Sequence, residues 1–110
     1  TDVPANATIM GEETFGPILN IFTYKDVNEA IIAIPQQPKP LALYIFTSDD
    51  AFSEMVLSKT SSGGVTVNNC LMHVAVPGMP FGGVNSSGTG AYHGIFGFRE
   101  LSHQRSVLFM

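Results

Sequence analysis

The sequence predicts an α/β fold, a mainly parallel open sheet with flanking helices, and three observations carry that expectation. Short β-branched and aromatic runs alternate along the chain with segments of helical period. The run LALYIF at residues 41–46 is apolar without alternation, the pattern of a strand covered on both faces. The connections between these segments are short crossovers, as in an open sheet of parallel strands. With 110 residues and 45% hydrophobic content, the chain is long enough to bury one core and reads as one compact unit.

Each element has a local reason. Residues 1–11 are irregular, with Pro4 and several small polar residues leading to Gly11. Residues 18–24 (ILNIFTY) follow a Gly16-Pro17 break and are rich in β-formers, which predicts a strand. Asp26 and Glu29 fit a capping box, and the helix they open carries Ala30, Ile31 and Ile34 on one side before Pro35 stops it. Residues 35–40 (PQQPKP) form a stiff extended connector to the strand at 41–46. Ser48, Asp49 and Asp50 offer caps for a second helix, with Phe52, Met55 and Val56 at core spacing. Gly63-Gly64 would end it as a positive-φ cap. Residues 65–67 are then a short strand, 91–101 a third helix and 106–109 a last strand.

Composition excludes several functions. Charged residues are only 13% of the chain, about half the usual share, so the polar coat is thin and some surface is meant to be covered. A net charge of -4 gives no electrostatic reason to expect nucleic acid or an anionic membrane as partner. Cys70 is the single cysteine, which rules out an internal disulfide framework and favours a reducing compartment. No apolar run reaches membrane-spanning length, and no basic-then-apolar leader pattern opens the sequence. His73, His93 and His103 lack the spacing of metal ligands, so no metal site is expected.

The densest chemistry lies at 80–94, PFGGVNSSGTGAYHG, with glycines at 82, 83, 88, 90 and 94. Ordering glycine costs backbone entropy, so such density implies positive-φ turns, tight backbone packing or close approach to a ligand. Phe81, Val84, Tyr92, Ile95, Phe96 and Phe98 argue for an ordered loop over a linker. Ser86 and Ser87 lack a Gly-x-Ser-x-Gly elbow, and Gly88 to Gly94 misses the dinucleotide fingerprint by one residue. Cys70, just after a strand, reads as a small buried core residue. In EETFGP at 12–17, a carboxylate suited to ribose hydroxyls precedes an aromatic suited to a flat ring. The same residues would also serve as a solvated acidic turn anchored by Phe15.

Together these patches resemble the C-terminal part of an aldehyde dehydrogenase, most closely the class 3 branch that includes fatty aldehyde dehydrogenases. The residues that carry the resemblance are EETFGPIL at 12–19, KPLALYIF at 39–46, TSSGGVTVNN at 60–69, MH at 72–73, the loop at 80–94 and SHQR at 102–105. The resemblance implies NAD(P)-dependent oxidation of an aldehyde to a carboxylate through a cysteine thioester, with a glutamate base assisting hydrolysis. It implies that Glu13 holds the nicotinamide-side ribose and that Phe15 lies beside the nicotinamide ring. Asn68 and His93 would stand near the active site, with Leu71, Val74 and Phe81 lining the aldehyde pocket.

The nucleophilic cysteine, the base, the oxyanion asparagine and the dinucleotide-binding half are expected upstream, so no catalytic residue is expected in this chain. Cys70 matches an aliphatic position of the family. The implied organisation is a partial catalytic domain at 1–105 and a terminal strand at 106–110 that joins a partner subunit in a homodimer. The N-terminal half of the enzyme is the other partner. A cytoplasmic location is expected, with membrane association where a tail follows Met110. Three positions depart from the family pattern: Pro35 within a helix, Asn85 in place of a glycine, and Leu101 in place of an aromatic. The alternative reading is a non-catalytic homologue serving as a binding or oligomerisation module.

Overall fold

The computed structural model describes residues 3, 4 and 6–110. The chain divides into two compact units, Thr1–Ala30 and Ile31–Met110, where one was expected.

In the first unit the regular structure ahead of residue 27 is a single 3-10 turn, Thr8–Met10, among the described residues. The strand expected at 18–24 is not formed. Its β-rich composition is genuine, and Ile18, Leu19, Ile21, Phe22 and Tyr24 all stand exposed. A strand exists only when a neighbour accepts and donates its ladder hydrogen bonds, and no ladder reaches this segment.

Helix α1 (Val27–Ala33) starts where the capping pattern placed it. Asp26 Oδ1 accepts the Asn28 N–H at 3.0 Å, and the Asp26 carbonyl accepts the Glu29 N–H at 3.0 Å. Pro35 has no N–H to continue the ladder, so the α-helix closes at Ala33 and tightens into a 3-10 turn over Ile34–Gln36. Of the expected apolar side, Ile31 is buried and Ala30 and Ile34 are half-buried.

The second unit contains a β-α-β crossover: strand β1 (Ala42–Ile45), helix α2 (Asp50–Lys59) and strand β2 (Gly64–Val67). The strands pair in parallel, with Ala42 opposite Gly64 and Ile45 opposite Val67. Asp49 caps α2, its Oδ1 accepting the N–H groups of Ala51 and Phe52 at 2.9 and 3.2 Å, a cap worth about 1 kcal/mol. Val56 and Ser53 are buried on the inner side of α2 and Ile45 ends β1 in the core.

Gly63 and Gly64 do not cap α2. That helix ends at Lys59 with Thr60 as its C-cap, and neither glycine has a positive φ. Their role is close approach: a Cβ on Gly63 would strike the carbonyl oxygens of Gly82 and Leu41, and one on Gly64 would enter the His73 ring.

The third helix, α3 (Gly94–Glu100), is shorter than the 91–101 expected. Residues 106–109 form no strand within this chain, and Val107, Leu108 and Phe109 are exposed. No helix among the described residues is long and apolar enough to cross a membrane. The consequence for function is simple. Both parallel strands point their carboxyl ends the same way, toward the turn at 68–71, and such ends are where open α/β sheets bind ligands.

Candidate functional site

Asn68 closes the end of the sheet. Directly after β2 it turns left-handed at φ 58°, and its N–H donates to the Ile45 carbonyl at 2.7 Å. Its Oδ1 accepts the Thr47 N–H at 2.9 Å. One side chain thus ties the outgoing ends of β1 and β2 together. Leu71 leaves the turn in the same left-handed region, at φ 61°. Cys70, between them, is exposed on the turn and not a core residue. The chain must reverse here within four residues, which leaves no room to tuck a side chain beneath the sheet.

The 3-10 turn Met72–Ala75 then carries His73 back against β2. His73 is 6% exposed. Its Nδ1 lies 2.8 Å from Thr66 Oγ1, which also accepts the His73 backbone N–H at 3.4 Å. Nδ1 and the Thr66 hydroxyl thus share one hydrogen bond, and Nε2 is buried without a hydrogen-bond partner.

Rings continue outward from His73. It packs against Tyr44 with centroids 6.1 Å apart and against Phe81 at 5.5 Å. On its other contacts Phe81 meets Tyr92 edge-on at 5.7 Å and stacks with His93 at 6.0 Å and 25°. Phe81 and Tyr92 also exchange both backbone hydrogen bonds, at 3.0 and 2.9 Å, as an isolated antiparallel bridge. That bridge closes residues 82–91 into one loop.

Inside the loop the glycines pack backbone on backbone. A Cβ on Gly82 would strike the Gly90 carbonyl, and one on Gly83 would strike Ser87. Ser87 Oγ accepts the Val84 N–H at 2.9 Å, and Asn85 holds the left-handed φ of 54° that a glycine would otherwise take. Gly82 and Gly83 therefore serve the loop's own closure and Ser87 its own turn, whereas Ser86 Oγ donates outward to the Lys39 carbonyl at 3.5 Å. His93, at φ 88°, precedes α3 and buries Nδ1 without a partner.

Against these rings lies an apolar pocket of about 190 Å³. Leu71, Val74 and Phe81 line it together with Tyr44 and His73, so three of the five residues expected at an aldehyde pocket converge. Asn68 sits at the strand ends and His93 behind Phe81, and neither lines this pocket. Glu13 and Phe15 belong to the first unit, both exposed on irregular chain. Among the described residues no group of three His, Cys, Asp or Glu is placed to hold a metal ion. Sequence reasoning missed Thr66, His73 and Tyr44. Their only signal was membership in the motifs KPLALYIF, TSSGGVTVNN and MH, since nothing in periodicity links Thr66 to a histidine seven residues on.

Residues 1–107 match the family profile described as Aldehyde dehydrogenase family. The chain belongs to the aldehyde dehydrogenase family. It is 53% identical over 108 residues to Aldehyde dehydrogenase family 3 member A2 of Rattus norvegicus, covering 98% of this chain and 22% of that protein. It is 48% identical over 107 residues to the "Aldehyde dehydrogenase, dimeric NADP-preferring" of Mus musculus, covering 97% of this chain and 24% of the relative. A solved structure titled "Substrate bound state of Staphylococcus Aureus AldH" superposes with a TM-score of 0.87 at 44% identity, covering 99% of this chain and 25% of that one. The chain thus spans about a quarter of these aldehyde dehydrogenases. The match to family 3 agrees with the class 3 resemblance, and the structural match with the α/β fold.

Proposed function

We propose that this chain forms the substrate-side wall of an NAD(P)-dependent aldehyde dehydrogenase that oxidises aldehydes to carboxylic acids through a cysteine thioester. The nucleophile and the dinucleotide-binding half belong to segments outside this chain. The observation that supports this reading best is the convergence of Leu71, Val74 and Phe81 on one apolar pocket in a member of this family. Apolar walls favour the hydrocarbon part of an aldehyde through burial and discriminate little between polar groups.

Glu13 and Phe15 fit a dinucleotide. The carboxylate is exposed and accepts hydrogen bonds only, which suits the two hydroxyls of a ribose. The Phe15 ring is 92% exposed, so a face is open for a nicotinamide to lie against. When bound, the dinucleotide supplies the hydride acceptor. Asn68 holds the strand ends beside the reacting centre, and His93 supports Phe81 from behind. Residues 106–109 join a partner subunit of a homodimer as an added strand, which hides Leu108 and Phe109 from water. The enzyme is cytoplasmic in this reading.

The test is aldehyde-dependent reduction of NAD⁺ or NADP⁺ by the full-length protein. Glu13→Gln, which keeps the shape but loses the charge, raises the KM for the dinucleotide roughly 10-fold and leaves the aldehyde KM in place. Absence of aldehyde-dependent reduction in the unaltered protein overturns the proposal.

A further inference from the structure

The buried imidazole of His73 asks why this position is a histidine at all. Packing alone would favour a purely apolar ring, since Nε2 is buried with no partner. The other ring nitrogen supplies the reason. Nδ1 lies 2.8 Å from Thr66 Oγ1 on β2, and this bond fixes the rotation of the ring about its own stem. The ring occupies the space a side chain on Gly64 would fill, so two residues of β2, Gly64 and Thr66, set its position. In that fixed position it packs against Phe81 at 5.5 Å, tilted by 36°, and both rings line the apolar pocket with Tyr44, Leu71 and Val74.

We propose that the Thr66–His73 pair is a specificity-determining device: it sets the angle of Phe81, and through it the depth of the aldehyde pocket. His73 acts here as a positioning residue. The proposal rests on the aldehyde-oxidising reading above and adds a cause for pocket shape. Rotation of an unanchored ring lets Phe81 tilt, and a wall that tilts by even a methylene's width changes the fit of a long or branched aldehyde. A short aldehyde that never reaches Phe81 is unaffected.

The experiment uses the full-length protein with a series of straight-chain aldehydes of increasing length. Thr66→Val keeps the volume of the threonine and removes the hydroxyl. His73→Phe keeps a ring and removes Nδ1. Each raises the KM for the longest aldehydes by roughly 10-fold, and with Thr66→Val the KM and kcat for a two- or three-carbon aldehyde hold. Thr66→Ser, which retains the hydroxyl, restores the original chain-length profile. The Thr66→Val, His73→Phe double variant is no worse than either single one, because both break the same bond. If the unaltered protein oxidises aldehydes and Thr66→Val leaves the chain-length profile unchanged, the inference is overturned while the enzyme assignment stands. If Thr66→Val and Thr66→Ser shift all aldehydes alike, the pair is merely structural and the inference falls. A protein inactive toward every aldehyde refutes the underlying assignment, and the inference with it.

Discussion

Two residues carry opposite messages at the turn after β2. Asn68 and Leu71 share the left-handed backbone region, at φ 58° and 61°. Asparagine tolerates that region, whereas leucine bears a steric cost of roughly 1–2 kcal/mol there. Leu71 is 65% exposed within this chain, so burial here does not offset the cost. Strain of this kind collects at sites, which agrees with Leu71 serving as pocket wall. Asn68 has its own test. Asn68→Ala loses the bond to the Thr47 N–H and puts a residue that tolerates left-handed backbone less well into the turn, and it destabilises the protein by about 2 kcal/mol. Asn68→Gly keeps the backbone freedom and recovers about half of that loss. Thermal unfolding midpoints of the two variants check the order. The left-handed asparagine was legible in advance only at Asn85, where a glycine was expected. At Asn68 and Leu71 the geometry comes from a reversal forced by packing, which leaves no mark in the local sequence.

Among the elements, the loop closed by the Phe81–Tyr92 bridge is the most demanding. Gly83 lies against the backbone of Ser87 and Gly88, and backbone cannot step aside as a flexible side chain can. Gly83→Ala therefore destabilises by about 3 kcal/mol, while Gly16→Ala, in open space, changes the thermal midpoint little. Equal shifts from the two would contradict the packing account. The crossover β1-α2-β2 was readable because its signals are local: an apolar run, an Asp49 cap and a helical stripe. The segment at 18–24 was misread for the opposite reason, since strand formation depends on an edge that sequence composition does not report. Gly63 and Gly64 show a subtler limit. A left-handed cap and a close backbone approach both select glycine, and only the neighbours, Gly82, Leu41 and His73, decide between them.

At the scale of the whole molecule, the thin polar coat predicted from composition has a physical counterpart. Phe15, Leu101 and Phe109 are each more than nine-tenths exposed, and the buried apolar core among the described residues consists of Ile31, Ile45 and Val56. In the function proposed above, surface of this kind is what the chain turns toward the rest of the enzyme, and the chain spans about a quarter of its relatives. The candidate site was legible to the same extent. Leu71, Val74 and Phe81 followed from the family resemblance and do meet, while the pairing of Thr66 with His73, whose ring packs on Phe81, emerged only from the fold. Phe81 joins these levels, as the ring that closes the loop, packs on both histidines and walls the pocket. The most direct test of the account is therefore the aldehyde KM of Phe81→Ala in the full-length protein. Loss of the ring removes about 1.5–3 kcal/mol of apolar contact, so the KM rises by roughly 10- to 100-fold while the KM for NAD(P)⁺ stays within about 2-fold. An aldehyde KM equal to that of the unaltered protein would contradict the assignment of this chain as the substrate-side wall.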